Sequence, residues 1–177
     1  NPTQTDLRHI WWPRTVDMID RALRETVVGL GEGNGNVRSD RTVITPASEV
    51  MAILCLATSI ADLKERLSRI VVARTGGGVP VTAGDLGATG AMAVLLRDAL
   101  RPNLVQTMEG GLAIIHGGPF GNVAHGCSSI LGIQSGLGIG DYVVTEGGFG
   151  SDLGGEKFLN IVVPRLGRQP NAIVLVA

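Results

Sequence analysis

The chain is poor in cysteine, in aromatic residues and in lysine, and it carries almost no net charge. Its two cysteines, Cys55 and Cys127, lie far apart and form no C-x-x-C pair. That argues against a disulfide framework or a zinc cluster and fits a reducing compartment, so a cytoplasmic location is expected. A formal net charge of −1 leaves no electrostatic footprint for nucleic acid or for an anionic membrane surface. Lys64 and Lys157 are the only lysines and neither follows a glycine, which excludes a G-x-x-x-x-G-K-[ST] loop within these residues. A G-x-G-x-x-G turn opening a helix after a strand and a G-x-S-x-G elbow are missing too. No secretory signal is visible. Residues 110–140 contain no Asp, Glu, Lys or Arg, yet they hold two histidines, Asn122, Gln134, three serines and many glycines, which excludes a lipid-facing helix.

What is present suits one domain, or a piece of one, with 177 residues to build a core. The sequence has no initiator Met and stops inside the apolar run "NAIVLVA", which reads as an internal segment of a longer chain without a second domain. Along residues 15–28, Val16, Ile19, Ala22, Leu23 and Val27 predict one face of a helix. "GLGEGNGNVRSD" reads as a surface loop. Thr45-Pro46 predicts the start of a second helix running through "ASEVMAILCLAT", with Thr as cap and Pro in the first helical position. Ser59 with Asp62 three residues on predicts a cap for "IADLKERLSR". "RIVVAR" reads as a strand, "TGGGVP" as a turn and "VTAGDLGATGAMAVLLRDAL" as a long helix. "LAIIHG", "DYVVTEGG" and "AIVLVA" do not alternate polar with apolar, so both faces of each predicted strand should be buried. The expected fold is therefore α/β, a mostly parallel sheet flanked by helices on both faces.

In such a sheet ligands bind at the carboxyl ends of strands. Two predicted strands end in polar groups followed at once by glycine, "AIIHGGPF" and "YVVTEGGFG". Glycine removes side chains that would fend off a ligand, and its N–H can reach phosphate or carboxylate oxygens. His116, Thr145 and Glu146 stand where these strands stop. His116 and His125 are nine residues apart, unsuited as two metal ligands on one helical face, and no metal site is expected. Cys127, two residues from His125, fits either a buried thiol or a Cys/His nucleophile. Phe149, set between glycines, fits either a platform for a flat ring or a loop aromatic folded onto the sheet.

The segments "RTVDMIDRALR", "ASEVMAILCLAT", "DLKERLSRIVVA", "PVTAGDL", "RPNLVQTMEG", "HGGPFGNVAHGCSS", "DYVVTEGGFGSDLGGEKF" and "NAIVLVA" resemble, in order, the central part of the formate–tetrahydrofolate ligase (formyltetrahydrofolate synthetase) family. The resemblance covers essentially the whole chain. It implies an internal segment of a large nucleotide-binding domain, with a P-loop NTPase-like core that lacks its P-loop strand here. It implies ATP-dependent ligation of formate to tetrahydrofolate, with Mg²⁺ and a monovalent cation, through a formyl phosphate intermediate, in a homotetramer. Phe149 would stack on the pterin, with Thr145, Glu146, Gly148 and Gly150 beside it in the substrate cleft. His116, Gly117, Gly118 and Asn122 would face phosphate or nucleotide. The chain departs from the family pattern at Ile19, at Gly121, Gly147 and Gly155 (usually Ala), at Ser128, and at Val162, Val163 and Pro164 (usually Lys-Cys-Arg). The alternative reading is a non-catalytic diverged paralogue or a truncated nucleotide- or folate-binding module.

Overall fold

The computed structural model describes residues 3–18 and 20–176. Strand β1 (Thr5–Ile10) pairs antiparallel with β6 (Val71–Thr75), which pairs antiparallel with β7 (Pro80–Thr82), and these three form the largest sheet. The β6–β7 turn closes because Gly78 adopts φ +84° and its N–H reaches Thr75 O at 2.9 Å, a conformation glycine enters without steric cost. Two short hairpins follow the same local logic: β3 (Thr26–Val28) with β4 (Arg38–Asp40), and β8 (Asn103–Gln106) with β9 (Leu112–Ile115). Parallel pairing among the described residues is confined to β2 (Arg14–Thr15) against β5 (Thr42–Val43).

The expected parallel sheet is thus not the fold. The structure has small, mostly antiparallel sheets, and among the described residues nothing resembles a P-loop NTPase-like core. A parallel strand needs a ladder partner and cover on both faces. β9 instead finds its partner a few residues away through the Thr107–Gly111 turn, and it leaves Leu112 and Ile115 exposed. The other two apolar runs form no strand: Tyr142 and Val144 are exposed, as are residues 173–176, and no neighbouring chain hydrogen-bonds to them among the described residues.

Local propensity decides where helices form. The helix expected over 15–28 is replaced by β2, a 3₁₀ turn at Arg21–Leu23 capped by Asp20, and β3 (Ile19 lies outside the described residues). The β-branched run Thr26-Val27-Val28 gains a cross-strand partner that the helix would not offer. Pro46 sits in a 3₁₀ turn, Thr45–Ala47, and the helix proper, α1 (Glu49–Leu56), starts one step later with Ser48 Oγ accepting from Met51 N at 3.2 Å. Helix α2 (Ile60–Ser68) carries the expected cap: Asp62 N donates to Ser59 Oγ at 3.1 Å, and Thr58 N donates to Asp62 Oδ2 at 3.0 Å. The long helix expected over 81–100 shrinks to α3 (Thr89–Leu95), because Thr82 and Asp85 close a turn on each other at 2.8 Å and Gly87 adopts φ +67°.

Two apolar clusters hold the chain together. The larger joins α1, α2, β6 and β7 through Leu54, Leu63, Leu67, Val72 and Val81. The smaller joins Cys127, Ile130 and Ile133 to Val162, with Leu56 of α1 packed against it. It involves α4 (Ile130–Ile139) and the stretch in which two π-helical turns, Gly150–Gly155 and Phe158–Val162, run into α5 (Val163–Leu166). Val162 is fully buried there and serves the core. The second cluster positions the site, because both glycine-rich loops run into it.

Candidate functional site

The first loop leaves β9 at His116. This side chain is buried, with Nε2 2.7 Å from Ala99 O and Nδ1 2.5 Å from Ser129 Oγ. A carbonyl only accepts, so Nε2 carries the proton and Nδ1 accepts from the Ser129 hydroxyl. Ser129 Oγ in turn accepts from Gly132 N at 2.8 Å, capping α4. Both ring nitrogens of His116 therefore serve the fold in this structure.

Gly117 has φ +68°, and a Cβ there would overlap the Cys55 sulfur on α1. The glycine requirement at 117 thus comes from packing against α1. Gly118 and Asn122 are exposed, with open space around Gly118. Phe120 N donates to Pro46 O at 2.9 Å and pins the loop to the start of α1.

The second loop, 145–155, comes to lie on the first. A Cβ on Gly121 would stand 3.5 Å from Phe149 Cε1, so the ring edge touches the first loop. A Cβ on Gly126 (φ +68°) would come within 2.6 Å of Gly121 Cα, and one on Gly154 within 2.8 Å of Gly148 Cα. Gly148 and Gly150 also have positive φ, +82° and +72°. Backbone packs on backbone here at distances that only glycine permits. Phe149 is 64% exposed, its ring supported at one edge by Gly121. Thr145 is half-buried and Glu146 exposed. The structure thus brings Gly148, Phe149 and Gly150 together with the loop carrying Gly118 and Asn122; it buries His116 in the fold and packs the exposed Gly117 backbone on Cys55.

Two further residues bear on this region: Lys157, which the sequence did not single out as a site residue, and His125, weighed there only as a metal ligand and as a partner for Cys127. Lys157 donates to the carbonyls of Gly121 and of Ala124, the latter at 2.8 Å. His125 is 2% exposed and its Nε2 has no partner. Burial, reinforced by the Lys157 charge, holds this imidazole below its usual range. The scarcity of lysine was the only signal pointing to Lys157, since its contacts reach 36 and 33 residues back.

Neither thiol is activated. Burial pushes Cys55 up to about 11, only partly opposed by a Gly118 backbone hydrogen bond. Burial, with the Glu146 charge, pushes Cys127 up to about 11 against the opposing pull of Lys157. The Cys127 thiol donates to His125 O at 3.0 Å. These are buried, protonated cysteines, and the geometry gives no Cys/His nucleophile. Among the described residues no three His, Cys, Asp or Glu side chains come together in a way that could hold a metal ion, and no helix is long and apolar enough to cross a membrane.

The family model described as formate–tetrahydrofolate ligase matches residues 1–177. The chain is 60% identical over 179 residues to the formate–tetrahydrofolate ligase of Methylococcus capsulatus, covering all of this chain and 32% of that protein. The protein of the same name from Haloarcula marismortui is 57% identical over 173 residues, 97% of this chain and 31% of its own length. That of Methylibium petroleiphilum is 59% identical over 178 residues, again 32% of its length. The chain spans about a third of the length of the curated relatives it matches. It belongs to the formate–tetrahydrofolate ligase family.

Proposed function

We propose that this chain is an internal segment of the nucleotide-binding domain of a protein that ligates formate to tetrahydrofolate at the expense of ATP. Formate is a poor electrophile. Transfer of the terminal phosphoryl group of ATP to a formate oxygen gives formyl phosphate and ADP. The N10 amine of the folate then attacks the formyl carbon, the C–O bond to phosphate breaks, the N10 proton passes to the departing phosphate or to water, and 10-formyltetrahydrofolate and phosphate leave. Such chemistry asks the protein for positioning and for groups that meet phosphate charge.

The observation that carries this reading is the meeting of the two glycine-rich loops with the Phe149 ring held exposed at their junction. An exposed aromatic edge-supported on glycine suits the flat pterin ring. Around it, Thr145, Glu146, Gly148 and Gly150 form the folate and formyl phosphate side of the cleft. Asn122 supplies an exposed side-chain amide for phosphate or nucleotide, and Gly118 leaves open space beside it, its own N–H being turned to Cys55. The buried His116 anchors the start of that loop, and Gly117 lets it pass close to Cys55. With no cluster of metal-ligating side chains among the described residues, Mg²⁺ would come bound to the nucleotide, and no step here is assigned to that ion or to a monovalent cation. On this reading the protein works in the cytoplasm, on small molecules, as a homotetramer.

The test is ADP release by the complete gene product. Release that requires both formate and tetrahydrofolate supports ligation. Release independent of formate, or none at all, would leave the non-catalytic binding module as the better account.

A further inference from the structure

Lys157 stands where the two loops join. Lys157 is half-buried, its ammonium rests on two backbone carbonyls, Gly121 O and Ala124 O, and no carboxylate pairs with it among the described residues. Those carbonyls bracket a tight turn: Ala124 N and Val123 N both donate to Phe120 O, at 2.7 and 3.2 Å. The N–H groups of Val123 and Ala124 are thus satisfied within the turn, and the carbonyls of Gly121 and Ala124 are gathered by one cation. Gly121, the first of the two, is the residue whose α-carbon faces the Phe149 ring edge and backs onto Gly126. A compact ammonium on a flexible stem can meet two converging carbonyls, which a planar guanidinium fits less well. A charged donor also makes the stronger hydrogen bonds.

We infer that Lys157 is a positioning residue of the site: by clamping the Gly121–Ala124 turn, it fixes the surface against which Phe149 presents its ring. The inference rests on the ligase reading for its consequence in turnover. The clamp itself rests only on the contacts of Lys157. Lysine here does not touch the reacting atoms; it acts through the loop and through Phe149.

The experiment uses the complete gene product with Lys157→Met, which keeps the apolar stem and removes the charge. Amide hydrogen exchange at Val123 and Ala124 is expected to quicken about tenfold, the equivalent of one charge-assisted hydrogen bond, while Leu63 and Leu67 in the larger core keep their protection. KM for tetrahydrofolate is expected to rise about tenfold with KM for ATP little changed. Phe149→Ala combined with Lys157→Met should be no worse in tetrahydrofolate KM than Phe149→Ala alone, because both act through one ring. Unchanged exchange at Val123 and Ala124 overturns the clamp whatever Phe149 does. Losses that multiply in the double variant, or KM for ATP rising as much as that for tetrahydrofolate, overturn the positioning role. If Phe149→Ala alone leaves tetrahydrofolate KM unchanged, the folate reading falls, and exchange alone then decides the clamp. Should Lys157→Met fail to fold, Lys157→Gln, a neutral and shorter donor, is expected to give the same exchange and KM pattern in smaller measure, and its absence overturns the inference.

Discussion

Nδ1 of His116 lies 2.5 Å from Oγ of Ser129, and this contact ties the end of β9 to the first turn of α4. Because Nε2 is committed to Ala99 O, the hydrogen bonds run in one direction, from Gly132 N to Ser129 Oγ and from the Ser129 hydroxyl to His116. Ser129→Ala removes a helix cap and leaves a buried ring nitrogen without a partner. We expect a loss of about 1–3 kcal/mol in urea unfolding. Paired with His116→Leu, the two losses should fall short of their sum, since each variant breaks the same bond. Additive losses would separate the cap from the histidine.

The glycines of the site divide into two kinds. At Gly121, Gly147 and Gly155 the backbone is not left-handed, and an added Cβ would meet its nearest neighbours at 3.5, 3.8 and 3.9 Å, ordinary contact distances. Ala at each should raise stability by about 0.4–1 kcal/mol by restricting the unfolded chain. At Gly126 the φ of +68° and the approach to Gly121 predict the opposite, a loss of about 1–3 kcal/mol on replacement by Ala. Thermal unfolding of the four single variants checks the division. A stabilised Gly126→Ala would show that the first loop does not close on itself as described.

Alkaline pH should weaken the fold. Cys55 and Cys127 stay protonated up to about 11 in the native state, whereas an unfolded thiol ionises near 9.0. Between those values the unfolded chain holds fewer protons, so stability is fully present below pH 9 and falls as the pH rises towards 11. Each thiol accounts for up to roughly 2–3 kcal/mol of that loss. Urea midpoints measured from pH 8 to 11 read it directly. A flat profile would mean that the thiols are open to water.

Acid acts through a different group. Burial, with the Lys157 charge, keeps His125 neutral to a lower pH than a free imidazole at 6.5. As pH falls below 6.5 the unfolded chain takes up a proton that the native chain refuses, so stability declines from there downward. The His125 ring-proton NMR shift should titrate below that value, and Lys157→Met should move the titration upward. A titration at or above 6.5 would contradict the burial of this ring.

How far the sequence speaks depends on the range of the interaction. The α2 cap was legible because Ser59 and Asp62 are three residues apart, and β6 because its β-branched run is local. The loops at 117–122 and 147–150 were legible as glycine clusters. The sheet was not: "AIIHG" and "YVVTEGG" look alike, yet the first has the Thr107–Gly111 turn to fold back on β8 and the second has no ladder partner among the described residues. Apolar runs report strand propensity, not pairing. The Lys157 clamp and the His116–Ala99 bond were hidden for the same reason, since their partners lie 36 and 17 residues away.

The central claim is that Phe149, held exposed where the two glycine-rich loops meet, receives the folate ring. The measurement that tests it most directly is steady-state kinetics of Phe149→Ala in the complete gene product, following formate-dependent ADP release. The account predicts a rise in KM for tetrahydrofolate corresponding to about 1–3 kcal/mol, with KM for ATP nearly unchanged. Equal effects on both substrates, or none on tetrahydrofolate, would contradict it.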